Sequence, residues 1–219
     1  MKLSDYTMTV LKNFSTINTG VVFLKGNTQK TISEDHSIMA EAEFDDTFPS
    51  KFAVYDLNHF IGNISALNSP DLAFDDKKVT LDDGSLTLTY YACSPELIKT
   101  PPEDKTLTIT NPTVTFDLTK ATLTKLLRIA SMNNLPHLSI QGKAGELVLI
   151  VHDRKDDTCN SAKTKIDEYG GEDFIATIKT ENIKLLPDDY VVDVKLPAFA
   201  RFKSKTRKIT YFNAFEAIK

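Results

Sequence analysis

Cysteine and tryptophan are scarce in this sequence of 219 residues. Tryptophan is absent, and the only cysteines are Cys93 and Cys159. The two cysteines stand far apart in the chain and form no CxxC pair, which argues against a zinc site and provides no disulfide framework. We therefore expect two reduced, buried or half-buried thiols.

Long apolar runs are also missing. No segment approaches the ~20 consecutive apolar residues that a membrane-spanning helix needs. The opening residues, MKLSDYTMTV, lack the apolar centre of a signal peptide. The sequence predicts a cytosolic protein without a membrane segment.

Positive charge is not in excess. Lys and Arg number 26 against 30 Asp and Glu, so the formal net charge is -4, and the pI is about 5.6. Domains that hold nucleic acid by general basicity usually have a pI above ~9. Any contact with DNA must therefore be confined to a local patch or cavity.

Motifs of the common catalytic and nucleotide-binding sites are absent as well. The sequence has no GxGxxG, P-loop, GxSxG or HExxH motif. The four histidines show no metal-ligand spacing with one another or with the cysteines: His36, His59, His137 and His152. We expect no cofactor, no metal and no enzymatic activity.

Pairs of adjacent aspartates could be read in two ways. They resemble acid pairs for metal binding or general acid work, but aspartate is also favoured in turns, where its side chain bonds to nearby backbone. The turn interpretation is the more economical one for the pairs at 45/46, 75/76, 82/83, 156/157 and 188/189.

What the sequence does contain is a helix with an apolar stripe opposite a cation. The segment Thr7–Gly20 places four apolar residues on one side at helical spacing: Val10, Leu11, Phe14 and Ile17. Lys12 projects from nearly the opposite side. Gly20 is expected to end this helix.

The segment Thr119–Asn134 repeats this arrangement about half the chain further on. Its apolar stripe consists of Leu123, Leu126, Leu127 and Ala130. Lys120, Lys125 and Arg128 lie away from that stripe, and the segment has no Asp or Glu. Either helix alone is typical of an ordinary surface helix, but their recurrence favours two copies of one domain.

The order strand, helix, strands, helix, strands occurs twice along the chain. We predict domain one at residues 1–94, a proline-rich extended connector at 95–112, and domain two at 113–219. The second helix of each domain is expected at Asp56–Leu67 and Thr180–Leu186, with Asp56 or Asn58 as the cap of the former. Two α+β domains with antiparallel sheets and helices on one face are the economical interpretation.

Three stretches resemble a known family. The opening MKLS, then LKNFSTINTG, and then FAVYDLNHFIG at Phe52–Gly62 resemble the sliding clamps of T-even-type bacteriophages, the processivity factors of the phage DNA polymerases. The detailed resemblance covers roughly the first 70 residues, and NIKLLPDDY at Asn182–Tyr190 matches more loosely.

The resemblance implies a closed ring whose helices line the hole and whose sheets form the outer wall. Such a ring needs six similar domains, so two domains per chain imply a homotrimer with head-to-tail contacts. The duplex DNA that the ring encircles would face Lys12, Lys120, Lys125 and Arg128. Further candidates for DNA-facing residues are Lys2, Lys179 and Lys184.

Clamp folds in general suggest where the subunits and partners would meet. An edge strand at Thr87–Cys93 would pair with Ala162–Tyr169 of the neighbour, and the interface candidates are Thr87, Thr89, Tyr91, Lys163, Lys165 and Ile166. A partner peptide would dock in an apolar pocket near the connector. The pocket candidates, which could instead simply bury against the domain sheets, are Leu97, Ile98, Leu107 and Ile109.

The family also implies partners in the cell. These are the phage DNA polymerase, an ATP-dependent clamp loader and late-transcription factors, all in the cytoplasm of the infected bacterial host. An acidic virion structural or assembly protein is the alternative, and a monomeric binding domain or an unrecognised hydrolase is the third choice. Gel filtration at about three times 24.5 kDa would favour the ring.

Overall fold

The computed structural model describes residues 1–103, 107–156 and 158–217. The chain divides into two compact units, Met1–Lys105 and Thr106–Lys219. Each unit combines α-helix with antiparallel strands, so the molecule has the α+β class that the sequence predicts. The division between the units falls inside the predicted connector.

Unit 1 contains two α-helices and seven strands within its described residues. The helices are α1 (Asp5–Ile17) and α2 (Leu57–Ala66). The strands are β1 (Val21–Phe23), β2 (Gly26–Ile32), β3 (Ile38–Phe48), β4 (Phe52–Val54), β5 (Asp71–Phe74), β6 (Lys78–Asp82) and β7 (Thr87–Tyr91). β1 pairs with β4, β2 pairs with β3, and β6 is the central strand of the antiparallel sheet β5-β6-β7.

Both helices of unit 1 begin at side-chain caps. Ser4 Oγ accepts a hydrogen bond from the backbone N–H of Thr7 at 3.1 Å, and Asp56 Oδ1 accepts one from His59 N at 2.8 Å. Each cap satisfies one of the backbone donors left unpaired in a first turn. The predicted cap at Asp56 is therefore confirmed.

The predicted role of Gly20 as the end of α1 is wrong. The helix ends at Ile17, because Asn18 adopts an extended conformation and its Oδ1 accepts a hydrogen bond from Gly20 N at 3.0 Å. Glycine is needed at position 20 for space, since a Cβ there would lie 2.9 Å from Val54 O and 3.1 Å from Ile98 Cγ1.

Phenylalanine dominates the core of unit 1. Phe23 and Phe48 stack with ring centroids 4.3 Å apart, and Phe74 meets Phe48 and Phe52 edge-on. Such ring pairs add about 0.5–1.5 kcal/mol beyond the burial of their area. The core thus joins strands from all three pairings of the unit.

Unit 2 contains one α-helix, α3 (Lys120–Met132), and eight strands within its described residues. The strands are β8 (Val114–Leu118), β9 (His137–Lys143), β10 (Glu146–His152), β11 (Ala162–Glu168), β12 (Phe174–Lys179), β13 (Tyr190–Lys195), β14 (Phe199–Ser204) and β15 (Ile209–Ala214). One antiparallel sheet has the order β11-β10-β9-β12, and β15-β14-β13-β8 are antiparallel neighbours in another.

The predicted second helix of unit 2 is wrong. In place of Thr180–Leu186 the structure has one 3-10 turn, Thr180–Asn182. Thr and Asn are weak helix formers, and the residues before Pro187 are too few for a helix and are drawn toward extended backbone by the proline. Unit 2 therefore repeats the order of unit 1 without its second α-helix.

Three strands also differ from the sequence-based expectation. The sequence analysis did not predict β2, whose letters are GNTQKTI, or β14, because neither shows a strong apolar alternation. The sequence predicts a final strand at Ile209–Ile218, but β15 ends at Ala214, and Ile218 lies outside the described residues.

The first half of the predicted connector packs on unit 1. It begins with a 3-10 turn, Pro95–Leu97, and continues with Ile98, which is buried against Val22 and Ala53. Asn18 Nδ2 donates a hydrogen bond to Lys99 O at 3.1 Å. Lys51 forms an ion pair with Glu103 at 2.5 Å. This half of the connector is consequently part of the unit 1 surface.

Across the described ranges, no helix has both the length and the apolar character that crossing a bilayer requires.

Candidate nucleic-acid interface

α1 presents one exposed cation opposite its buried face. Val10, Leu11 and Phe14 are fully buried, which confirms the predicted stripe. Lys12 is exposed and lies on the other side of the helix, since residues 3.6 apart share a face. No described carboxylate lies within ion-pair distance of its Nζ.

α3 presents three exposed cations in the same way. Thr119 caps the helix by accepting a hydrogen bond from Thr122 N at 3.2 Å. Leu123, Leu126 and Ala130 form the buried face. The exposed cations are Lys120, Lys125 and Arg128, and within the described part of the chain none of them forms an ion pair.

Several cations on the strands behave differently, because carboxylates of this chain neutralise them. On β14, Arg201 pairs with Asp193 at 2.7 Å, and Lys205, just after that strand, pairs with Asp117 at 2.8 Å. Lys165 lies 3.6 Å from Glu146. The helix cations keep their charge available for an external anion, whereas these strand cations do not.

The additional DNA-facing candidates do not lie on the helices. Lys2 is exposed just before α1. Lys179 ends β12 and pairs with Glu181 at 3.5 Å, and Lys184 follows the 3-10 turn and is half-buried. Their role in DNA contact stays a prediction.

The two strands predicted to join subunits are both at sheet edges. Among the described residues, β7 pairs only with β6, and β11 pairs only with β10. On β7 the exposed side chains are Thr87, Thr89 and Tyr91. On β11 strand alternation places Lys163 and Lys165 on the exposed face and half-buried Ile166 on the other.

The four residues predicted to line a partner pocket differ in their exposure to solvent. Ile98 is buried in unit 1, Ile109 is half-buried, and Leu97 and Leu107 are 64% and 42% exposed. The sequence analysis missed a small cavity of about 10 Å³ beside the docked connector. It is lined by Val22, Leu24, Lys30, Thr100, Pro101 and Glu103.

The turn interpretation of the aspartate pairs is wrong for Asp45 and Asp46, which lie inside β3, but Asp83 does serve a turn. Asp83 accepts hydrogen bonds from the backbone N–H groups of Asn68, Ser85 and Leu86, and these bonds hold its pKa well below the usual range. Within the described residues no group of three or more His, Cys, Asp and Glu is arranged to hold a metal ion.

The cysteines differ from each other. Burial raises the pKa of the Cys93 thiol, which is half-buried as expected. Cys159 is exposed, so that part of the expectation is wrong. It lies in the loop after β10, where its Sγ donates to Asp156 Oδ2 at 3.1 Å.

Strand register brings together two histidines that the sequence left separate. His137 on β9 lies directly opposite His152 on β10, with ring centroids 6.1 Å apart. Burial, followed by the proximity of His137 and Arg154, lowers the pKa of His152. Only the pairing of β9 with β10 could have signalled this contact.

Known proteins share both sequence and fold with this chain. Residues 2–94 match the family model described as DNA polymerase processivity factor. The chain is 29% identical to the sliding clamp of Vibrio phage KVP40, with 100% of both chains covered. It is 28% identical to the sliding clamp of Enterobacteria phage T4, with 95% of this chain and 91% of the relative covered.

Solved structures show the same fold at low identity. A. fulgidus PCNA has a TM-score of 0.69 at 12% identity, with 97% of this chain and 95% of that chain covered. DNA polymerase III subunit beta from Borrelia burgdorferi has a TM-score of 0.71 at 14% identity, and this chain spans 62% of its length. The fold is therefore the one that PCNA and the bacterial beta subunits share.

Proposed function

This chain is a sliding clamp of the T-even phage type, a DNA polymerase processivity factor, and from that premise we propose that three copies form a ring around duplex DNA. Its inner surface would be lined by α1 and α3. The observation that carries this proposal is the set of exposed cations on those two helices, which form no ion pair with any described residue, in a chain that is acidic as a whole.

These cations suit a contact that must slide. Attraction between lysine or arginine and phosphate does not depend on base sequence and weakens steeply with salt. A closed ring stays on DNA by enclosure, so weak contacts suffice. The acidic remainder of the surface repels DNA from other faces.

A test compares two double charge reversals. Lys125→Glu with Arg128→Glu should leave the oligomer intact and impair loading onto primed circular DNA, whereas Lys143→Glu with Lys203→Glu changes the charge equally on exposed strand residues and should have little effect. Normal loading and processivity of the first variant would remove α3 from the DNA role.

Enclosure itself is tested by linearising the DNA. The protein should remain on circular DNA through gel filtration and leave once the circle is cut, because a ring can slide off an end. Loss from both forms at the same rate would contradict enclosure. The free protein should migrate at about three times 24.5 kDa.

We propose that β7 of one subunit packs against β11 of the next. Both strands end their sheets among the described residues, and an unpaired edge is a template for another strand. Tyr91, 70% exposed, is the largest side chain on that edge. Replacing Tyr91 and Ile166 with glutamate should give monomers in sedimentation, and unchanged trimers would count against this contact.

The remaining partners follow from the family. We propose that the ring tethers the phage DNA polymerase, is opened by an ATP-dependent loader and assists late transcription, in the cytoplasm of the infected bacterium and without catalysis of its own. Exposed Leu97 and Leu107 are the residues we propose for peptide contact. Leu97→Ser should weaken polymerase binding in a pull-down, while Leu86→Ser, at a leucine that is 57% exposed against 64% for Leu97, serves as the control.

A further inference from the structure

Unit 2 contains a cavity of about 810 Å³ at the ends of β9, β10 and β12. Basic and acidic side chains both line it: His137, Arg154, Lys155 and Lys179 are basic, and Asp153, Glu181 and Glu216 are acidic. Its size is within the range of ligand sites in proteins. The exposed cations of α3 take no part in it.

A carboxylate receptor lies in the cavity wall. His137 is 7% exposed, and its Nδ1 accepts a hydrogen bond from the backbone N–H of Arg154 at 3.2 Å. The ring proton is therefore on Nε2, which lies 3.1 Å from Glu216 Oε2. Arg154 NH1 lies 3.5 Å from the same oxygen.

Buried polar side chains next to His137 fix the orientation of the receptor. Ser139 Oγ contacts His152 Nε2 and Thr177 Oγ1, both at 2.8 Å, and Ser139 is fully buried. His152 in turn lies against the His137 ring. A satisfied polar network of this kind fixes side-chain orientation, so the His137 donor is oriented before any ligand arrives.

The present occupant belongs to the chain itself. Glu216 lies on the short segment that follows β15, and two backbone hydrogen bonds hold that segment: Phe215 N to Ala198 O at 3.0 Å and Glu216 N to Thr177 O at 2.9 Å. Its carboxylate fills only part of the cavity. Lys155 has no ion pair among the described residues and remains available to a second acid.

We propose that this cavity is a docking site for an acidic peptide segment of a partner protein, whose carboxylate replaces that of Glu216 between His137 and Arg154. Glu216 shows which chemistry the receptor takes. Asp153 and Glu181 on the cavity wall disfavour a doubly charged phosphate more than a single carboxylate. The extra volume and Lys155 accommodate a neighbouring acidic residue of the same segment.

Because the internal carboxylate competes, the apparent affinity for a partner is reduced by the fraction of time that the receptor is free. Removing the competitor should therefore strengthen binding of an external carboxylate. Weaker but measurable binding to the unsubstituted protein separates a docking site from a purely structural ion pair, since a structural pair would keep an external carboxylate out as long as Glu216 is present.

The test uses the full chain and a labelled, end-blocked pentapeptide with the sequence of residues 213–217, NAFEA. Fluorescence anisotropy should show it binding the Glu216→Ala variant at least about tenfold more tightly than the unsubstituted protein. The same peptide carrying Glu→Gln should bind about tenfold more weakly, because a charged acceptor is lost. Adding Arg154→Leu to Glu216→Ala should abolish binding.

Equal binding of the two peptides, or no binding to Glu216→Ala, would overturn the proposal. If the alanine variant folds poorly, Glu216→Gln can replace it, because glutamine keeps the shape of the segment. Its affinity for the peptide should lie between that of the unsubstituted protein and that of Glu216→Ala. Retention of Glu216→Ala on circular DNA should be unchanged, so failure of the docking site and failure of the ring are separate results.

Discussion

The largest fully buried rings of unit 1 are phenylalanines, and those of unit 2 are Tyr190 and Tyr211. The tyrosine hydroxyls are used in hydrogen bonds: Tyr190 Oη donates to Leu186 O, and Tyr211 Oη accepts from Leu186 N at 3.2 Å. Unit 2 also buries Asp188, Asp193 and Ser139, each with hydrogen-bond partners. Both units bury neutral polar side chains, such as Asn18 and Gln29 in unit 1 and Ser139 and Asn213 in unit 2, but among the described residues the buried carboxylates, Asp188 and Asp193, lie in unit 2.

This difference has consequences for each unit. A core of phenylalanine rings depends on shape and volume, whereas a buried carboxylate depends on keeping its hydrogen-bond partners and its charge. Unit 2 should therefore be the more sensitive to pH, and it is the unit in which we propose a receptor for a carboxylate.

The largest effect is expected in the phenylalanine core. Phe48→Ala removes contacts with Phe23, Phe44 and Phe74 and should destabilise unit 1 by about 3–5 kcal/mol. Urea unfolding measures this. Leu86→Ala, at an exposed position, should stay within about 0.5 kcal/mol, and a similar shift in both variants would contradict the role of the cluster.

A smaller effect is expected for one polar pair in unit 2. Asp193→Ala leaves Arg201 and the Thr115 hydroxyl without their acceptor and should cost about 2 kcal/mol in urea unfolding. Its control is Lys205→Ala, which breaks an exposed pair with Asp117 and should cost less than about 1 kcal/mol. Equal losses would show that burial does not matter here.

The pH dependence of unit 2 is the next test. Burial alone would raise the pKa of Asp188, but hydrogen bonds from Ser204 and Thr206, together with Arg207, outweigh it and lower the pKa. A carboxyl whose pKa is lower in the folded state stabilises the fold above its unfolded pKa of about 3.9 and loses that contribution as pH falls through the folded pKa. Asp188→Asn should thus lower the unfolding midpoint more at pH 7 than at pH 3.

Asp188→Asn has a matched comparison in unit 1. Phe48→Ala should lower the midpoint by about the same amount at both pH values, since no charge changes. If Asp188→Asn also showed no dependence on pH, this buried carboxylate would not be a source of acid sensitivity.

The smallest effect is expected when the exposed cations of α1 and α3 are neutralised. Lys12→Gln removes the cation of α1, and Lys125→Gln with Arg128→Gln removes two from α3. Each lost phosphate contact should reduce the slope of log affinity against log salt by about 1, so the α3 variant should flatten the salt dependence of DNA retention more than the α1 variant does. The reverse order would contradict the unequal distribution of charge.

Local signals in the sequence were enough for parts of the fold. The apolar stripes of α1 and α3 and the cap at Asp56 follow from spacing and side-chain chemistry within a few residues. Gly20 was misjudged because Asn18 already leaves the helix before it, and Thr180–Leu186 was misjudged because Pro187 favours extended backbone in the residue before it. β14 was missed because its pairing with β13 and β15, rather than its own pattern, makes it a strand.

The site could be predicted only in part. The cations of α1 and α3 follow from helical periodicity, and the edge strands β7 and β11 were inferred from analogy with clamp folds. The receptor at His137 could not have been predicted, since it requires the register of β9 with β10 and the return of Glu216 to β12. Contacts between residues so far apart in the sequence depend on topology.

Asn18 holds three segments with one side-chain amide. Its Nδ2 donates to Ile32 O and Lys99 O, at 2.9 and 3.1 Å, while its Oδ1 accepts from Gly20 N. Spontaneous deamidation to aspartate would place a negative oxygen against two carbonyls in place of the two donated hydrogens. Chemical ageing at this single position would loosen the end of α1, the end of β2 and the docked connector together, without any change to the cations of α1.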